Sequence, residues 1–109
     1  MNIITNDSIL RAAEKKIAEG LLRQITKRGY VLTIWDGEES IPCSTSKEAL
    51  KIIFDVDECR VIFGRTRRGS GVGWVFVVFG NGPEDLISDY SDNAETKAIV
   101  DAAIEGYLP

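Results

Sequence analysis

The run VGWVFVVF, residues 72–79, narrows the folds open to this chain more than any other stretch. It is β-branched and aromatic, and it is apolar on both phases of a two-residue repeat. That predicts a strand with something packed on each side, either the chain's own helices or a partner. Upstream, ECRVIFGR alternates Cys59, Val61 and Phe63 against Arg60 and Ile62, the pattern of a strand from about residue 58 to 65. Arg65, Arg67, Arg68 and a glycine-rich turn lie between the two runs, so they read as antiparallel partners joined at a basic hairpin tip.

The rest of the chain supplies elements to pack on such a hairpin. Leu10, Ala13, Ile17, Leu21 and Ile25 recur at helical spacing, with Arg11, Glu14, Lys15, Arg23 and Lys27 between them, predicting an amphipathic helix over 7–28. YVLTIW predicts a strand over 30–35, Asp36-Gly37 a turn, and residues 40–43 a short return. Pro42 sends that return to a sheet edge, because it has no amide hydrogen for the ladder. Thr45 and Glu48 form a capping box ahead of a short apolar helix. GNGPEDLISDYSD concentrates turn formers, with residues 86–88 extended. Asp92 and Glu95 then offer a second capping box before a helix over 93–106 that turns Ile99, Ala102 and Ala103 inward. The expected fold is one α+β domain, a four-stranded mainly antiparallel sheet with helices packed on it, in the order α-β-β-α-β-β-α. Strand order stays open.

Chemistry is sparse in this composition. The chain has no histidine, which removes the commonest general base and the commonest transition-metal ligand. Two isolated cysteines, Cys43 and Cys59, lack the paired spacing of a zinc site. Cys43, just ahead of a helix cap, is the better placed of the two for reactivity, but both read as inert thiols of a reducing cytoplasm. Asp55, Asp57 and Glu58 read as a solvated turn, and no calcium-loop pattern surrounds them. The glycines after Arg68 open a strand, and no Gly-Lys-Ser or Gly-Lys-Thr follows, so no phosphate loop is present. No catalytic, metal or cofactor site is expected. The longest apolar run, eight residues counting its glycine, is too short to span a membrane.

What remains points to binding. Net charge is −4, yet it alternates in blocks, basic over 1–28, acidic over 29–58, basic over 59–80 and acidic over 81–109. The candidate contact residues are the tip arginines Arg65, Arg67 and Arg68, the aromatics Trp35, Trp74 and Tyr90, and the acids Asp85, Asp89 and Asp92. Together they fit a protein-interaction module that binds a protein partner or itself. The alternative is a nucleic-acid-associating protein that uses the tip and the basic first helix; the acidic net charge weighs against it. WDGEE, STSKEAL and GWVFVVFGNGPEDLISDYSDN together resemble small accessory proteins encoded by bacteria and their phages or prophages. That resemblance implies a bacterial or phage setting and brings no activity with it.

Overall fold

The computed structural model describes residues 6–66 and 71–107, the side chains of 6–8 excepted. Helices α1 (Asn6–Lys27), α2 (Ser46–Ile53) and α3 (Ala94–Tyr107) pack on an antiparallel sheet of five strands: β1 (Val31–Trp35), β2 (Ser40–Cys43), β3 (Glu58–Gly64), β4 (Gly71–Val78) and β5 (Ile87–Tyr90). The sheet order is β2-β1-β3-β4-β5, with β2 and Pro42 at an edge. The fifth strand corrects the expected four. ISDY is too short and too polar to show a strand period. It is secured by backbone bonds just beyond each end, Val78 N–H to Leu86 O at 2.9 Å and Ser91 N–H to Trp74 O at 3.0 Å.

All three helices lie on one side of the sheet. Leu32, Ile34, Val61, Phe63, Val75 and Val77 alternate onto that side and meet Leu21, Leu22, Ile25, Ile53 and Ile99 in one cluster. Phe63, fully buried, contributes roughly 2–3 kcal/mol by leaving water. Gly20 of α1 faces the backbone of Ala103, and a Cβ there would stand 3.6 Å from the Ala103 carbonyl oxygen, in ordinary van der Waals contact, so α1 and α3 meet at a distance that alanine would also fill.

Polar anchors fix the helices on the sheet. Thr45 caps α2, its hydroxyl accepting from the Glu48 amide at 3.1 Å, while the Glu48 carboxylate accepts from the Ser44 amide at 3.1 Å. At α3 the cap is Asn93 and not Asp92, because the Asn93 side-chain oxygen accepts from the Thr96 amide at 2.8 Å. Glu95, expected to complete a box there, pairs with Arg28 at 3.2 Å and so ties the end of α1 to the start of α3. Asn93 also donates to Val72 O at 3.0 Å, and Ser91 Oγ lies 2.8 Å from Thr96 Oγ1 while accepting from the Trp74 amide at 3.1 Å. These hydroxyls fill the space beside Gly73 that a side chain would occupy.

Glu14 departs from the polar face assigned to it. It is only 1% exposed, and its Oε2 accepts from the amides of Gly80 at 2.8 Å and Gly82 at 3.2 Å, clamping the loop before β5 onto α1. Ala102 is half-buried, and the inward face of α3 is made by Thr96, Ile99, Val100 and Ala103.

Candidate interaction face

With every helix on one side, the second phase of each strand points away from the core. Four cross-strand rows make up this open face, one of them the pair Glu58 and Val78. The first runs Ser40, Trp35, Arg60, Phe76, Asp89, and the next Pro42, Thr33, Ile62, Trp74. In the third, Val31, Gly64 and Gly71, only Val31 carries a side chain. Trp35 is 39% exposed, and Ile62, Trp74 and Phe76 are half-buried by one another. The Arg60 guanidinium sits 4.5 Å from the centroid of the Trp74 ring, a cation–π contact between neighbouring strands. A hollow of about 200 Å³ lies between Trp35, Asp36, Glu58, Arg60 and Phe76. Thr33, in the middle, is 8% exposed, and its hydroxyl finds no hydrogen-bond partner among the described residues.

Acids from both acidic blocks of the sequence gather at one end of the sheet. The β1–β2 turn brings Asp36, Glu38 and Glu39 to one end; the approach to β3 brings Asp55, Asp57 and Glu58 to the same end, and the approach to β5 brings Glu84 and Asp85. Asp36 builds its turn by accepting from the amides of Glu39 and Glu38, each at 2.8 Å, and those bonds hold its carboxyl below the ordinary range. Gly37 supplies the positive φ of 103° that the turn needs. At the opposite end the β3–β4 connection, residues 65–70, has three arginines and no acid in its sequence.

The expected contact residues are thereby redistributed. Trp35 and Trp74 share the open face. Asp89 is opposite Phe76 in the ladder and accepts from the Tyr90 amide at 2.9 Å. Tyr90 is opposite Val75 and packs on the core, which separates it from the two tryptophans. Asp85 and Asp92 precede and follow β5 and so stand at opposite ends of the sheet; with Asp89 they make no single patch. Arg65 is exposed, its guanidinium 5.6 Å from the Tyr30 ring, while Arg67 and Arg68 lie outside the described residues. Phe76 of the two-sided apolar run joins the tryptophans on this face, and so do Arg60 and Ile62, which the sequence reading left out. The signal available for them was the even phase of two adjacent strands.

The other candidates are occupied structurally. Cys43 is 4% exposed beside a hollow of about 360 Å³; burial first, then the Glu48 carboxylate, raise its thiol above the ordinary value. Burial, with a smaller push from Asp36, raises the Cys59 thiol to about 12. Both shifts oppose the thiolate that a nucleophile needs. Among the described residues, no three acids or cysteines converge as a metal site, and no helix is long and apolar enough to cross a membrane. On the basic first helix, Arg11 stands 4.9 Å from the ring centroids of both Phe54 and Phe79, and Arg28 is neutralised by Glu95. Comparison with protein-family models, curated proteins and solved structures finds no match for this chain.

Proposed function

We propose that the chain is a non-enzymatic interaction module whose open sheet face docks another protein. The observation that carries this reading is the one-sided packing: three helices cover one face of a five-stranded sheet and leave Trp35, Arg60, Ile62, Trp74 and Phe76 on the other. Tryptophan and arginine at the centre of a patch, with carboxylates toward its edge, is the composition of binding hot spots. Raised thiol pKa values and the lack of any histidine favour binding over catalysis. The resemblance to small bacterial and phage accessory proteins agrees with a module of this size, and two free buried thiols suit a reducing cytoplasm. Nucleic acid has less beneath it. The aromatic row ends in the Asp89 carboxylate, Arg11 of α1 is already engaged with Phe54 and Phe79, and Arg28 just after α1 with Glu95.

The test replaces Trp35 with a photoreactive aromatic residue and, separately, Lys97 on the far side of α3, and irradiates cells that express each variant. A discrete polypeptide adduct from position 35 and none from 97 is the expected result. Equal labelling from both positions, or none from position 35, refutes the reading.

A further inference from the structure

We infer that the occupant of the open face is a second copy of this chain, laid face to face and turned end for end. The inference rests on the reading of that face as an interaction surface and adds its partner and geometry. Two features of the face are self-complementary under one operation only. In shape, bulky Trp35 and Phe76 stand in the row at the acidic end, while in the row at the other end Gly64 and Gly71 leave Val31 as the one side chain. In charge, Glu58 and its neighbours in the turns make one end acidic, and Arg65 stands exposed at the other.

A two-fold axis lying between the sheets and running across the strands near Ile62 reverses strand direction in the second copy. It sets each aromatic row over a glycine row and each acidic end over the end that holds Arg65. An axis running along the strands does the reverse, stacking rings on rings and acids on acids, which costs both packing and like-charge repulsion. A two-fold contact of this kind is closed and isologous, so it yields a dimer and no filament. Five strands about 4.8 Å apart present a flat face of about 500 Å² per copy, and about 1,000 Å² for two copies reaches the lower bound of a specific interface. Cross-sheet packing of this kind is that of a β-sandwich, with the helices outermost.

The test is sedimentation equilibrium of the purified full chain over a wide concentration range. The expected result is a dimer of twice the 12.0 kDa chain mass that dissociates at least tenfold more readily in Ile62→Arg, which places two like charges at the axis. Glu58→Arg, a change at an exposed position that leaves the core alone, is expected to weaken the dimer about tenfold, and added salt to weaken the parent dimer. A spin label on Glu58→Cys then reports the orientation, since the buried native thiols do not compete. End-for-end packing separates the two labels by about 27 Å along the strands, whereas parallel packing leaves them about 10 Å apart. A short label distance overturns the geometry, and a dimer indifferent to Ile62→Arg and Glu58→Arg overturns the surface. A purified chain that stays monomeric while position 35 cross-links a different polypeptide in cells overturns the second copy and spares the interaction reading. A monomer with no adduct from position 35 overturns both.

Discussion

Replacing Gly73 with alanine is the smallest change expected to damage this fold severely. Gly73 lies on the covered phase of β4, and a Cβ built there would run into Thr96 Oγ1, with Ser91 Oγ at 2.7 Å and Phe63 Cζ at 2.8 Å. None of these can yield cheaply. Phe63 is fully buried, the two hydroxyls are bonded to each other, and Ser91 Oγ also accepts from the Trp74 amide. Overpacking of this kind costs about 1–3 kcal/mol. Displacing Ser91 also strands the Trp74 amide and breaks the hydroxyl pair, about 1–3 kcal/mol more. The reduced freedom of alanine in the unfolded chain returns only about 0.5–1 kcal/mol. The net loss is about 3 kcal/mol, a large share of the ~5–15 kcal/mol of a typical domain. Urea unfolding followed by circular dichroism reads it directly. With a slope of about 1.5 kcal/mol/M the midpoint falls by about 2 M while the slope stays constant. Adding Thr96→Ala removes the nearest obstructing atom, so the double variant is expected to lose less than the two single losses together. A midpoint within about 0.3 M of the parent, or strict additivity in the double variant, refutes the steric argument.

Other residues give independent checks. Glu14→Ala leaves the amides of Gly80 and Gly82 without their acceptor and is expected to cost about 2–4 kcal/mol, with faster hydrogen exchange at both amides; Glu14→Gln keeps an acceptor and loses less. Thr33→Val removes a buried hydroxyl without a partner while keeping its shape. Thermal unfolding should move up by about 4 °C, the equivalent of about 1 kcal/mol, and a lower midpoint contradicts the assignment. The folded Cys59 thiol titrates at about 12 against an ordinary 9.0, so its contribution is fully present below pH 9.0 and is lost as pH rises toward 12. Denaturation across that window should therefore show a steeper decline for the parent than for Cys59→Ala, and parallel declines contradict a buried neutral thiol.

The elements were legible because local signals name them. The Asp36-Gly37 turn, the Thr45 cap and the alternation of Cys59, Val61 and Phe63 each reflect chemistry within a few residues. Contacts between distant segments were not legible in the same way. Nothing in ISDY itself announces β5, whose place depends on the ladder that β4 offers. Glu14 sits four residues from Leu10 and from Ala18, on the apolar stripe; that spacing was the available hint, but its partners are the amides of Gly80 and Gly82, far along the chain. Gly73 carried its own sign, a glycine on the inward phase of a strand otherwise rich in bulky residues. The two-sided apolarity of β4 left open whether helices or a partner would cover its second face. That depends on which side of the sheet each helix crosses, a property of connections that hydropathy does not encode.

Both tryptophans of this chain lie on the open face, so their fluorescence reports that surface alone. Acrylamide quenching of the purified chain, followed from high dilution upward, is the most direct measurement of whether the face is open and then covered. The account predicts red-shifted, readily quenched emission at high dilution that turns blue-shifted and protected as the face is occupied. Blue-shifted, quench-resistant emission from a chain that is monomeric at the same dilution would mean that the chain covers this face itself, and the account would fall.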